Sequence, residues 1–237
     1  MGPVYRLTLS QLAGRWRLSI MTVLAALPVI LAVVLLHSET APPVLEFEQS
    51  ILGHMLAGSI APLIVLAIAA AAFGNEVDDR TLANLTLTPI PRWKIALPKL
   101  LATITIAVPF IAVSAFFTSY VAFVGDIRTT LAVTVSAIVG VVLYSSAFVW
   151  LGLVSTHAIG VGLLYIVLWE GFFAEFVGGI RLLSIRHYAI GLMHGIDPRR
   201  FDDLPHLTLT PAIVMTVLVA GGFLFMSIRR LRRMDVP

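Results

Sequence analysis

LLATITIAVPFIAVSAFFTSYVAFV, running from Leu100 to Val124, decides the fold. It carries no charged side chain and exceeds the roughly 20 apolar residues a helix needs to cross about 30 Å of hydrocarbon. Its apolar residues run on without alternating, so it reads as a helix and not as a strand of an outer-membrane barrel. Five further runs share this character: Leu18–Leu36, Gly53–Phe73, Leu131–Val154, Ile159–Val177 and Ala212–Ile228. Pro28, Pro62 and Pro109 fall inside three of the six. Membrane helices tolerate proline where neighbouring groups re-satisfy the freed carbonyl. The expectation is an all-α integral membrane protein with six transmembrane helices.

Composition points the same way. Of the 237 residues, 59% are hydrophobic and 12% charged, against about 25% charged in an average soluble domain. A soluble core of this length could not hide so much apolar surface. Cysteine is absent, which excludes disulfides and thiolate metal sites. The net charge of +3 does not indicate nucleic acid, because the arginines cluster beside apolar runs as in membrane proteins. The first run lacks a small-residue cleavage site and is read as a retained span.

Lysine and arginine orient the chain. With the N-terminus inside, the inner segments hold Arg6, Arg15, Arg17, Arg80, Arg92, Lys94, Lys99, Arg229, Arg230, Arg232 and Arg233. The outer segments hold Arg128, Arg181, Arg186, Arg199 and Arg200, four of them in one long loop that counts for little. The first outer loop has Glu39, Glu46 and Glu48 and no basic residue. Both ends are therefore expected in the cytoplasm. No repeat or linker marks a second domain, so residues 1–237 read as one transmembrane domain.

Three segments lie outside the spans. Residues 1–17 put Tyr5, Leu9, Leu12 and Trp16 on one stripe with Arg6, Ser10 and Arg17 off it. That pattern suits a helix in the inner interface, although a plain extension of the first span also fits. The outer region 178–210 contains HYAIGLMHGI, His187–Ile196, too short to span. It reads as a re-entrant or surface-lying helix. The third segment is the inner loop 74–99.

That loop, within FGNEVDDRTLANLTLTPIPRWKIALPKLLA (73–102), crowds Glu76, Asp78, Asp79 and Arg80 together. Glu76 and Arg80 have the spacing of a helical ion pair, which contributes only about 0.3–0.5 kcal/mol when exposed. Leu82 and Leu85 come next at helical spacing, Pro89 and Pro91 break the chain, and Trp93 and Lys94 mark the next interface. A short amphipathic helix here would offer a docking face to a cytoplasmic partner. An ordinary boundary loop fits the residues equally well.

The loop resembles that of ABC-transporter permeases of the type-2 class, whose wording here is close to E-x-x-x-G-T-L…T-P-I-S-R…K-L. Glu76, Thr81, Leu82, Thr88, Pro89, Ile90, Arg92, Lys99 and Leu100 match it, while Arg80 replaces glycine and Pro91 replaces serine. The closing SIRRLRRMDV is similar to the family's basic tail. The resemblance implies one permease subunit of a homo- or heterodimer in a prokaryotic plasma membrane. Cytoplasmic ATPase subunits would dock on a coupling helix near Arg80–Thr88 and drive alternating access, with Glu76 steadying its base. Export is implied because most of the family exports. The chain has no G-x-x-x-x-G-K-[ST] loop, so ATP and magnesium would be bound by the partner and no cofactor by this chain.

Other polar residues are candidates on chemistry alone. Glu170 and Glu175 lie at the outer end of the fifth run; breaks at Gly171 and Gly178–Gly179 would place both near outer water as gate residues. His187, His194 and His206, with Met193, have spacings that match no tight ligand set. Ser114, Thr118, Ser119, Tyr120, Thr134, Ser136 and Tyr144 are polar groups among aliphatic ones, which suits an amphipathic or lipid-like cargo. Two rivals stand. An intramembrane hydrolase would need a nucleophile with its base, yet Ser145, Ser146 and Ser155 have none nearby in sequence. A non-transporting anchor or sensor for an ATPase would use the same docking loop.

Overall fold

The computed structural model describes residues 2–36, 44–78, 91–174, 182–202 and 207–233. Their elements are α1 (Gly2–Leu12), α2 (Arg15–Leu36), α3 (Val44–Phe47), α4 (Ala61–Asp78), α5 (Trp93–Ala122), α6 (Ile127–Val154), α7 (Ala158–Leu164), α8 (Ile185–Ile196), α9 (Pro198–Phe201) and α10 (Leu209–Arg233). Two wide-turn π-helical segments, Glu48–Ile60 and Tyr165–Phe173, join α3 to α4 and continue α7. No strand occurs among the described residues. The first π segment ends just before Pro62, whose ring would collide with the Gly58 carbonyl in a tight α-turn. Ala61 N–H accordingly bonds five residues back, to the Leu56 carbonyl.

Among the described residues, five helices are long and apolar enough to cross a membrane: Arg15–Leu36, Ser50–Gly74, Trp93–Ala122, Ile127–Val154 and Leu209–Arg233. Of the expected fifth run, Ile159–Val177, the structure describes an apolar helix over Ala158–Phe173, and residues 175–177 lie outside the described residues. The break expected at Gly171 is absent, since the π-helical segment passes through that residue without interruption.

α6 is the hub, packing on α4, α5, α8 and α10. The inner core is apolar, with Ile64, Val65, Ile68 and Phe73 of α4 against Val141, Phe148 and Val149 of α6. Close approach is set by Gly152: a Cβ there would lie 2.6 Å from the Ala70 carbonyl oxygen, backbone against backbone. The periphery is the reverse. Only 22% of the α2 window and 11% of the α10 window is buried, against 72% for Ser50–Gly74. Val23, Ile30 and Val34 on α2 and Val217, Leu218 and Phe225 on α10 are exposed. Such surface belongs against lipid or a neighbouring subunit.

α1 packs on α5, with Thr8 and Leu12 buried and the Tyr5 hydroxyl donating to Thr105 Oγ1 at 3.0 Å. The stripe drawn through Trp16 is corrected here. The helix ends at Leu12, and Trp16, on α2, is 78% exposed.

At the opposite end, Val124 (φ 51°) and Gly125 (φ 79°) turn the chain, and Asp126 caps α6. Its Oδ1 accepts from the backbone N–H of Arg128 at 3.0 Å and of Thr129 at 3.4 Å, and these bonds hold its carboxyl below the usual range. Arg128 reaches across to the Ile196 carbonyl at 3.1 Å, and the Thr129 hydroxyl lies 2.6 Å from Asp197 Oδ2. The C-terminal end of α8 is thereby pinned to the start of α6. HYAIGLMHGI is thus part of a helix, buried against α6 and α10.

Gly152→Ala is expected to lower stability by about 1–3 kcal/mol, because α4 and α6 must separate to admit the methyl group. Gly160→Ala, which meets nothing within 4 Å, should leave the thermal unfolding midpoint in detergent unchanged.

Candidate functional site

Two charged arrangements stand out, one where the end of α4 meets the start of α5 and one in the interior at the start of α8. The first brackets the segment expected to form the coupling element. Lys99 stands in the second turn of α5 and is 1% exposed. Its Nζ lies 2.7 Å from Glu76 Oε1, donates to the Ala72 carbonyl, and sits 4.5 Å from the centre of the Phe73 ring. One ammonium thus satisfies a carboxylate, a carbonyl in the last turns of α4 and an aromatic face. The compact ammonium on its long stem suits this pocket, whose three partners point at one centre.

Glu76 thus pairs with Lys99; the pairing expected with Arg80 lies outside the described residues. Arg80, Thr81, Leu82, Leu85, Thr88 and Pro89 lie outside the described residues. Arg92 is described and directly precedes α5, with its carbonyl accepting from the Ile95 and Ala96 N–H groups. Lys99 matches the loop wording, but nothing in that wording marks it as a brace. No local periodicity links it to Glu76, 23 positions away.

The second arrangement centres on Glu170, in the π-helical segment Tyr165–Phe173. Its position is corrected too: it is 0% exposed and sealed in protein, not open to outer water. Tyr165 donates to Oε1 at 2.8 Å, the Ile185 backbone N–H donates to Oε1 at 2.9 Å, and the Ser184 hydroxyl donates to Oε2. Ser184 also N-caps α8 by accepting from His187 N–H at 3.4 Å. The carboxylate therefore sits at the N-terminus of a 12-residue helix, where free N–H groups and the helix dipole favour negative charge. Burial, with Glu170 adding to it, pushes the Tyr188 phenol up to about 12. The phenol stays protonated and donates to the Leu182 carbonyl at 2.5 Å. Arg186 is buried as well, its Cδ 3.1 Å from where a Cβ on Gly58 would lie. Glu175 lies outside the described residues.

Ser184 also lies 2.9 Å from His187 Nδ1, which bears on the hydrolase reading. A nucleophilic serine gives its proton to histidine, with the carboxylate behind the ring. Here the serine donates to the carboxylate directly and is 0% exposed, so the trio is a hydrogen-bond lock. Ser146 donates to the Leu143 carbonyl at 2.7 Å. His194 Nε2 lies 3.4 Å from Asp202 Oδ1, and His206 is outside the described residues. Among the expected cargo-facing groups, Ser114, Thr118, Ser119, Ser136 and Tyr144 are buried within the chain, whereas Tyr120 is exposed. Beside the Glu170 cluster is a cavity of about 460 Å³, walled by Phe148, Trp150, Tyr165, Trp169, Tyr188 and Phe223.

Helices of spanning length, a charged brace at one end and a carboxylate sealed in the interior define a multi-pass helical membrane protein. The family model described as ABC-2 family transporter protein matches residues 14–181, well over half of the chain. The chain belongs to the ABC-2 transporter family. It is by that membership a membrane subunit of an ABC transporter, in a family of generally non-catalytic subunits that associate with other transporter components. No curated protein matches it.

Glu76→Gln and Lys99→Met should each destabilise the fold by about 3–5 kcal/mol, since each leaves a buried group without its partner. The double variant should recover most of that loss in a double-mutant cycle read by thermal unfolding. Glu170→Leu leaves three donors unsatisfied, at about 1–3 kcal/mol each, and should loosen α8 in amide exchange. Glu170→Gln, which keeps an acceptor oxygen, should lose less.

Proposed function

We propose that this chain is the membrane-spanning subunit of an ATP-driven exporter, working as a dimer with separate cytoplasmic ATPase subunits in the plasma membrane of a prokaryote. In this reading both chain ends are cytoplasmic, and the Ala158–Phe173 helix with the residues after it completes a sixth crossing. The ATPases dock on residues 80–88 and bind the ATP and magnesium.

The observation that carries the reading is the Lys99–Glu76 brace, taken with family membership. The brace ties the end of α4 to the start of α5, the two helices that flank residues 79–92. A force applied to the segment between them is delivered to both helices together. The hub α6 packs on both and on α8, so their displacement reaches the start of α8. There Glu170 links the fifth helical segment to α8, and we assign it, with Glu175, to the outer gate. Amphipathic or lipid-like cargo fits walls as apolar and aromatic as those of the 460 Å³ cavity.

The test is co-purification with the cognate ABC ATPase and ATP turnover in lipid. Leu82→Asp with Leu85→Asp is expected to abolish docking and to remove permease-dependent turnover while the helical circular dichroism stays intact. Undiminished co-purification would rule out the docking segment. Substrate-dependent flux in vesicles separates a transporter from a signalling anchor.

A further inference from the structure

From a cleft at the end of the bundle that bears the Glu76–Lys99 brace, we infer that this chain holds one anionic phospholipid between α2, α4 and α7. The cleft encloses about 630 Å³ and is two-faced. Its rim carries Arg17, Ser155, Thr156 and His157. Its depth is walled by Leu24, Leu63, Ala67 and Leu163, and among the described residues no acidic side chain lines it. Along α2, Leu24 lies two turns below Arg17, about 10 Å deeper at 1.5 Å per residue. A cationic, hydroxyl-bearing mouth over an apolar well of that depth has the polarity profile of a phosphate headgroup above the start of its acyl chain.

The rim is also unsatisfied as it stands. Arg17 is half-buried, and neither an ion pair nor a hydrogen bond involves its side chain among the described residues. A guanidinium offers five donors in a fork that matches phosphate oxygens in pairs. The His157 backbone N–H donates to Ser155 Oγ at 3.1 Å, and Thr156 Oγ1 lies 3.0 Å from His157 Nδ1. With Thr156 donating to Nδ1, the ring keeps an N–H on Nε2 for the same anion. Arg17 opens α2, and Ser155–His157 form the turn between α6 and α7, so all four stand at helix ends, the level of the headgroups. Basic pockets between membrane helices recognise anionic headgroups at that level. A soluble phosphate could use the rim but would leave the well empty. The inference holds whether or not an ATPase docks.

Native mass spectrometry of the full chain, released from micelles holding equal phosphatidylglycerol and phosphatidylcholine, tests it. One phosphatidylglycerol per chain should be retained in preference. Arg17→Gln should lower that preference about fivefold, the effect of one basic residue near a headgroup. Ala67→Trp, which fills the well and leaves every basic residue in place, should reduce retention of both lipids. Excess glycerol phosphate should displace neither. Equal retention of the two lipids by the wild-type chain, an unchanged preference in Arg17→Gln, or displacement by glycerol phosphate would overturn the site. Circular dichroism confirms that each variant is folded.

Discussion

A charge shut away from water must find all its partners in protein, and Lys99 meets that demand. Its ammonium is buried in α5 and engages Glu76, the Ala72 carbonyl and the Phe73 ring at once. Removing water from two such charges costs several kcal/mol per ion, and only close geometry with further hydrogen bonds offsets it. The ends of α4 and α5 are held in one arrangement because any other would leave a bare charge in a dry place. The two helices that flank residues 79–92 are fixed relative to each other by that constraint.

The same rule governs the interior at the start of α8, where the buried charge is a carboxylate. Glu170 is held by a phenol, a serine hydroxyl and a backbone N–H at the start of α8. The helix dipole adds to their effect, as the Phe73 ring does for Lys99. α6 packs on α4, α5, α8 and α10, and Gly152 lets α4 come to backbone contact. A hub packed this closely is suited to passing displacement along its length, because packed interiors transmit strain.

Much of this is legible in the residues. The runs at Leu100–Val124 and Leu131–Val154 correspond to α5 and α6, and HYAIGLMHGI lies within a helix of its own. The loop wording around Thr81–Leu82 and Thr88–Pro89 points to the family that the match over residues 14–181 establishes. A stripe through Trp16 ignores the break after Leu12, which spacing does not reveal. Glycine beside Glu170 suggests a break and access to water, whereas α8 folds over the carboxylate and supplies its donors.

What the sequence by itself determined is the solvent and the class: continuous apolar runs with flanking arginines can be stable only as helices in a bilayer, and local spacing is enough to read them. What only the tertiary structure decided is which charge meets which. Glu76 pairs with Lys99 across 23 positions, and Glu170 with Ser184 and Ile185 across 14 and 15. Each partnership joins different helices, so no periodicity records it. It is set by how those helices pack, and packing depends on side-chain shape summed over the whole bundle.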